Sequence, residues 1–421
     1  MRRVLILGLY YPPANFMAGR RLEGWARHLP AFGYEPLVLT RFYDPEERHT
    51  HDFYAAGRPT RTLREPWVEE GRAVYTRFDP GLWSRAPLPG KVRGLVHYAW
   101  PDPDHSIWLR WCREYLERAK FRPDLIVGSY SPPGVLRVAR RLSEWLGVPW
   151  VADFRDLWLD ETDDSLDSRL KRLLQRRHLR TAAGITVVSD AMVDELRRQL
   201  APLEKPIRLV YNGAEPPDGA QPEAADRSAL ELFESLRRDR VVLTYAGMLY
   251  PEQETGPFLD AVAEFNRRVG EGGESGRTCA VALCGRHEPE NYSRWPFVRV
   301  LGPVGHSTAM YMLTRSTALF YPTWPGRYTG FSGKFFEQVV SGRPVLIAFR
   351  PSPDLEEFAR RFDSVTVAHE PEELIGALER VQREGGGASA VAEVATKKYW
   401  AGELAKFLDE ILDRSGASVA P

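Results

Sequence analysis

The chain has 421 residues, 43% hydrophobic and 27% charged, with 57 basic and 57 acidic side chains. Zero net charge removes the electrostatic basis for a nucleic-acid partner, and no stretch reaches the roughly 18 apolar residues of a membrane span. The length exceeds one ordinary core, so two domains of a globular enzyme are expected.

In chain order, "MRRVLILGLYYPP" opens with a basic start and an apolar run that breaks at Pro12, too short for a cleavable signal. Strand-like runs follow: "VLILGL" (4–9), "EPLVLT" (35–40), "AVYTRF" (73–78), "DLIVGS" (124–129), "PWVADF" (149–154), "GITVVS" (184–189) and "IRLVYN" (207–212). Most are apolar almost throughout, as parallel strands buried on both faces are. Helical stretches at 17–32, 107–120, 133–147 and 190–200 separate several of them. The stretch 41–72 carries no element and reads as a long functional loop.

The pattern pauses at "NGAEPPDGAQPEAADRSA" (212–229), which reads as a linker or surface excursion, and resumes with "VVLTYAG" (241–247), "CAVALCG" (279–285), "VRVLGPV" (298–304), "ALFYP" (318–322), "PVLIAF" (344–349) and a weaker "SVTVAH" (364–369). Alternating β and α elements on both sides of the pause predict an α/β protein of two doubly wound Rossmann-like domains. The first is expected over 1–205, completed by a C-terminal helix within 395–421, and the second over 206–394. Cys112, Cys279 and Cys284 are the three cysteines; the last two fall on opposite faces of one strand, unsuited to a disulfide or metal pair. The sparse, odd count favours a reducing compartment, so a cytoplasmic location is expected.

The stretch "TGFSGKFFEQVVSGRPVL" (329–346) places a lysine where a helix begins. On a helix starting near Gly333, Phe335, Phe336, Val339 and Val340 form an apolar stripe, with Lys334, Glu337 and Gln338 on the other side. Ser332 stands at the N-cap position, and Gly330 and Gly333 permit close approach to the turn. Backbone N–H groups, the positive end of the helix dipole and an ammonium would then converge on one point, which suits an anion such as a diphosphate. Glu337, one turn deeper, is placed to accept hydrogen bonds from ribose hydroxyls. The alternative is a solvated Lys334–Glu337 pair worth about 0.2–0.5 kcal/mol.

"SGKFFEQVVSGRPVL" resembles the donor-site signature of retaining GT-B glycosyltransferases, the family that includes sucrose synthase and bacterial lipopolysaccharide and mannosyl transferases. "ILGLYYPPANFMAGRRLEGWARHLPAFGYEPLVLT", "DLIVGSYSPPGVLRVARRLSEWLGVPWVADFRDLW", "ITVVSDAMVDELRRQL", "RLVYNGAE" and "LTYAGMLY" resemble other passages of that family, in the same order. The resemblance implies two domains facing an interdomain cleft. It further implies transfer of a sugar from a nucleoside diphosphate sugar (UDP- or GDP-linked) to an acceptor hydroxyl on a saccharide, lipid-linked glycan or natural product, as in polysaccharide biosynthesis. Retention of configuration is implied, with no metal and no cofactor beyond the nucleotide sugar as co-substrate.

Residue by residue, the resemblance implies donor contacts from Gly19, whose loop amides would meet the diphosphate, and from Gly247, Arg286, Gly330, Ser332, Gly333, Lys334 and Glu337. Asp153, Arg155 and Asp156, at a strand exit, match the place that contacts the transferred sugar or acceptor; a carboxylate there would orient the acceptor hydroxyl or take its proton. The sequence departs from the family at several points. "GSYSPPG" supplies Ser129, Tyr130 and Ser131 where many relatives have a sugar-facing histidine. Met248 and Glu254 stand where relatives carry a phosphate-gripping arginine and lysine, and Thr329 replaces the first of two glutamates. Lys334, Arg286 and Arg327 are candidates for the missing charge. These losses leave two other readings open: a sugar-nucleotide epimerase, and a non-catalytic accessory subunit of the same fold. Finally, "RLKRLLQRRHLR" (169–180) has six Lys or Arg and no acid, with Leu170, Leu173 and Leu174 on one face, which fits either contact with anionic lipid or a packed, solvated helix.

Overall fold

The structure is a computed structural model that describes residues 1–12, 17–41, 67–76, 103–130, 132–159, 166–253, 255–271, 276–324, 331–387 and 389–416. It divides into two compact units, Met1–Asn212 with Lys397–Pro421, and Gly213–Thr396.

The first unit runs β1 (Arg2–Leu7), α1 (Met17–His28), β2 (Tyr34–Arg41), β3 (Trp67–Glu70), β4 (Ala73–Thr76), α2 (Pro103–Arg118), β5 (Leu125–Tyr130), α3 (Pro133–Leu146), β6 (Trp150–Phe154), α4 (Leu166–Leu179), β7 (Gly184–Val187), α5 (Asp190–Leu200) and β8 (Ile207–Leu209). Its sheet has the order β3-β4-β2-β1-β5-β6-β7-β8. Every pairing is parallel except β3 with β4. The unbroken apolar runs seen in the sequence are the central strands: all residues of β5 and of β6 are buried. Helix α3 lies close against β5, because a Cβ at Gly128 would come within 2.7 Å of the Ala139 methyl.

β8 extends this first sheet, pairing Ile207–Leu209 with Ile185–Val187. The unit boundary therefore falls between Asn212 and Gly213, beyond the expected 205. Of the stretch 41–72, only Arg41 and 67–72 lie among the described residues, and Trp67–Glu70 forms an antiparallel edge strand there, where the sequence showed no element.

The second unit runs α6 (Arg227–Asp239), β9 (Val241–Ala246), α7 (Gly256–Glu271), β10 (Cys279–Cys284), β11 (Val298–Gly302), α8 (His306–Arg315), β12 (Ala318–Pro322), α9 (Gly333–Val340), β13 (Val345–Ala348), α10 (Pro353–Ala359), β14 (Val365–Ala368) and α11 (Pro371–Glu384). Its six strands are all parallel, in the order β11-β10-β9-β12-β13-β14. Cys279 and Cys284 belong to hydrophobic clusters on opposite faces of β10, as their spacing predicts. Both thiols are free and buried, and burial pushes both upward, Cys284 to about 12. The last helix, α12 (Lys397–Arg414), returns to the first unit and packs on α1. Gly24 of α1 makes room there for the Lys397 side chain, which a Cβ would meet at 2.6 Å.

Candidate functional site

Three neighbouring strands of the second unit end alike. Gly247 follows β9, Gly285 follows β10 and Gly302 ends β11, with φ of 142°, 141° and 80°. These are backbone conformations that favour glycine. Gly247 N–H donates to the Cys284 carbonyl at 2.7 Å, and Gly285 N–H to the Gly302 carbonyl at 2.8 Å. A Cβ at Gly285 would stand 2.4 Å from the Gly247 carbonyl oxygen. The strand ends thus present bare backbone where ligands of doubly wound sheets bind, beyond the carboxyl ends of the strands. The signal was present in "TYAG", "ALCG" and "VLG", three runs that stop on glycine.

Helix α9 delivers Lys334 to this edge. Phe335 and Phe336 anchor the helix: Phe331 lies 5.2 Å from Phe335 and 5.2 Å from Phe358, and Phe358 lies 5.5 Å from Phe336, all between ring centroids. The Lys334 ammonium donates to the Tyr245 hydroxyl at 3.2 Å and to the Met248 carbonyl at 3.3 Å. Tyr245 in turn donates to the Met248 carbonyl at 3.2 Å. A Cβ on Gly247 would sit 2.3 Å from the Lys334 amine, so this glycine is what admits the lysine. Burial pushes the Lys334 amine down, and Glu337 works in the opposite direction. Burial also pushes the Tyr245 phenol well above its ordinary value, leaving it a hydrogen-bonding group rather than an anion. His287, beside the Gly247–Gly285 backbone, is pushed down by burial and further by Lys334, while the Gly247 backbone pulls it up. Sequence reasoning passed over Tyr245 and His287.

Lys334 and Glu337 are therefore not a solvated pair. Glu337, whose side chain is 16% exposed, reaches instead toward His306 Nδ1 at 3.8 Å, at the start of α8. Gln338 corrects the expected polar face: it is 2% exposed, and its amide donates to the Phe320 carbonyl at 2.9 Å. Ser332 holds the N-cap position with extended backbone, but its hydroxyl makes no capping bond. Its N–H donates to the Tyr321 hydroxyl at 2.9 Å, and its own hydroxyl lies 3.2 Å from that group. Gly333 is the buried first residue of α9. Of the first N–H groups of α9, that of Phe335 donates to the Ser332 carbonyl at 3.1 Å, whereas those of Gly333 and Lys334 lack an intrahelical acceptor by geometry. Arg286 is exposed next to Gly285. Gly330, Thr329, Arg327 and Glu254 lie outside the described residues.

In the first unit, Asp153 departs from expectation. It is fully buried at the end of β6. Its Oδ1 accepts from Arg21 Nη2 at 2.9 Å and Thr186 Oγ1 at 2.8 Å; its Oδ2 accepts from Ser129 Oγ at 2.8 Å and Arg21 Nε at 3.3 Å. Arg21 also donates to the Tyr211 carbonyl at 3.1 Å and lies over the Trp25 ring at 4.4 Å. A carboxylate so enclosed cannot touch an acceptor; it is a structural ion pair, and the catalytic expectation for Asp153 is corrected accordingly. Asp156 is exposed and Arg155 half-exposed beside it, with Arg155 Nε donating to Ser129 Oγ at 3.3 Å. Burial lowers the Arg155 guanidinium, against the pull of Asp156 and then Asp153. Gly19 also differs from expectation. It is buried in α1, and a Cβ there would meet the Tyr10–Tyr11 backbone at 3.0–3.2 Å, so it seats the loop on the helix. Among the described residues no group of three or more His, Cys, Asp or Glu is gathered to hold a metal, and no helix is long and apolar enough to cross a membrane.

Residues 18–213 match the family model of the glycosyl transferase 4-like domain. No curated protein matches the chain significantly in sequence. Among solved structures, a sucrose-phosphate synthase from Thermosynechococcus elongatus is similar over 99% of this chain and 98% of its own, with TM-score 0.60 and 15% identity. The Anabaena HepE protein in complex with UDP-glucose is similar over 99% of this chain and 98% of its own, with TM-score 0.54 and 16% identity. A UDP-GlcNAc 2-epimerase from Methanocaldococcus jannaschii is similar over 97% of this chain and 100% of its own, with TM-score 0.53 and 12% identity.

Proposed function

We propose, for a chain that has the GT-B fold and a glycosyl transferase 4-like domain over 18–213, that it transfers a sugar from a nucleoside diphosphate sugar to an acceptor hydroxyl. The observation that carries this reading is the Lys334 ammonium, held over Gly247 at the opening of α9, with the glycine-ended strands β9 and β10 beside it. A helix start, a cation and open backbone together suit a diphosphate. As the bond from the anomeric carbon to the diphosphate oxygen breaks, negative charge gathers on the leaving group, and these groups stabilise it without a metal. Glu337 takes the ribose hydroxyls. Arg155 and Asp156 act at the acceptor: as its hydroxyl oxygen bonds the anomeric carbon and the diphosphate leaves, the hydroxyl proton passes to the Asp156 carboxylate. We assign retention of configuration on the resemblance of "SGKFFEQVVSGRPVL" to retaining transferases. The three buried free thiols agree with work in a reducing cytoplasm.

A panel of UDP- and GDP-sugars tested by thermal shift, followed by product analysis, checks this reading. One nucleotide sugar is expected to raise the melting temperature and to give a glycosylated acceptor. An epimerised donor formed without acceptor points to an isomerase, and no binding of any donor to a non-catalytic subunit. Glu337→Ala is expected to weaken binding of that nucleotide sugar by about tenfold while leaving the unliganded melting temperature nearly unchanged; a large fall in stability instead marks Glu337 as a structural group.

The helix α4 supports peripheral contact with an anionic membrane surface. Leu173 and Leu170 are 61% and 37% exposed, rather than packed inward, and Arg169 and Arg177 are exposed on the same helix. Exposed leucines among arginines suit the headgroup region of a bilayer. Co-sedimentation with vesicles containing phosphatidylglycerol is expected to fall at least severalfold in Leu170→Ser/Leu173→Ser; equal sedimentation removes the membrane from this reading.

A further inference from the structure

The loop that follows β9 turns apolar side chains outward. In "GMLYPEQ" (247–253) Leu249 packs against the core of the second unit, whereas Met248 and Tyr250 on either side of it are 47% and 42% exposed. Side chains of that kind left in water forgo hydrophobic free energy that a ligand recovers by covering them. The backbone beneath them is fixed. The Met248 carbonyl accepts from the Lys334 ammonium at 3.3 Å and from the Tyr245 hydroxyl at 3.2 Å. The Tyr250 N–H donates to Oε1 of the buried Gln253 at 3.0 Å, and the Gln253 N–H donates back to the Tyr250 carbonyl at 2.9 Å. At the end of β12, the Thr323 hydroxyl donates to the Phe349 carbonyl at 2.6 Å, which fixes the backbone just before Trp324. The rings of Tyr250 and Trp324 meet with their centroids 5.2 Å apart, at 39° to each other. A surface held in this way loses little freedom when a ligand settles on it.

The sheet order decides which part of a ligand this surface faces. The strands run β11-β10-β9-β12, and Lys334 stands over Gly247 at the end of β9. Glu337, read above as the ribose acceptor, leans toward His306, which follows β11. Tyr250 and Trp324 lie the other way, where β9 meets β12. With the diphosphate at Lys334 and the ribose toward His306, the group beyond the far phosphate comes to the aromatic pair. In a nucleotide sugar that group is a pyranose, whose ring carbons present a flat C–H face. Aromatic rings cover such a face, and "MLYPEQ" offers no cation that would seek phosphate instead.

We propose that Tyr250 and Trp324, with Met248 beside them, form a platform that stacks on the transferred pyranose of the donor and so helps to select it. The inference rests on the donor reading above.

Isothermal titration of the full chain with UDP and UDP-glucose, and with GDP and GDP-mannose, tests the platform, because each bare nucleotide is a control that lacks the pyranose. Wild type is compared with Tyr250→Ser, Trp324→Leu and Tyr250→Phe. In the first two, affinity for the sugar nucleotide that wild type binds is expected to fall about five- to tenfold, while affinity for its bare nucleotide changes by less than about twofold. Tyr250→Phe, which keeps the ring, is expected to restore the sugar-nucleotide affinity. If Trp324→Leu does not fold, Tyr250→Ser, at an exposed side chain, carries the test alone. Four results overturn the platform and leave the donor reading standing: an equal loss for nucleotide and sugar nucleotide, no loss for either, a loss in Tyr250→Phe as large as in Tyr250→Ser, or wild type that binds a bare nucleotide but neither sugar form. Wild type that binds none of the four ligands overturns both.

Discussion

Lys334→Met is expected to lower affinity for the diphosphate of a nucleotide sugar by about 10- to 100-fold, the loss of a charge-assisted hydrogen bond of roughly 1.5–3 kcal/mol. It is also expected to leave the unliganded protein as stable as wild type, or more so. The two halves follow from one geometry. The amine is drawn out of water to hydrogen-bond a phenol and a carbonyl, neither of which bears charge. Methionine keeps the length and packing of the side chain and removes the cost of burying the ammonium. The Tyr245 hydroxyl keeps its bond to the Met248 carbonyl. Calorimetric titration with UDP and a thermal melt of the free protein check both halves. Unchanged UDP affinity removes Lys334 from the donor site, and a marked drop in melting temperature makes it a structural group.

The same lysine sets a pH dependence whose sign is fixed. Burial disfavours the charged form and holds its folded pKa below the ordinary lysine value. In the free protein this is a stability cost present below the folded pKa and relieved as pH rises through it. A bound diphosphate needs the protonated amine, so UDP affinity decreases as pH rises through the lowered Lys334 pKa. In Lys334→Met that part of the dependence disappears.

The sequence carried the fold at the level of strands because parallel strands buried on both faces must be apolar throughout, and "CAVALC" or "LIVGSY" permit little else. The unit boundary was harder to read, since "IRL" is a short strand whose partner, β7, only the folded sheet supplies. Within the site, Lys334 was legible because a cation at a helix start opposes the dipole and asks for a reason. Gln338 was not: its amide bonds Phe320, on a strand 18 residues away, and polarity alone could not tell it from a solvated residue. Asp153 and Asp156 are three apart on one strand exit and indistinguishable by type. What separates them is Arg21, 132 residues earlier, which closes on one and not the other. Local pattern reports which residues can do chemistry; the long-range partner decides which already have other work.

That separation yields a second large effect. Asp153→Asn is expected to destabilise the first unit by about 3–5 kcal/mol, since it leaves the Arg21 guanidinium in the interior without its counter-charge. Both side chains of that pair have 0% exposure, so solvent cannot make up the loss. Asparagine keeps the shape but only one of the two acceptor oxygens, so the loss combines the missing charge with an amide NH2 turned toward a hydroxyl and the Arg21 guanidinium. Asp156→Asn, on an exposed carboxylate, is expected to change the melting temperature by less than about 1 °C and to reduce turnover at least about tenfold. Thermal unfolding and steady-state rates, measured below the melting temperature of each variant, distinguish the roles. Asp153→Asn that melts with wild type but fails in turnover returns Asp153 to the reaction; a destabilised variant that turns over normally in the cold assigns it the task of holding β6 and α1 together.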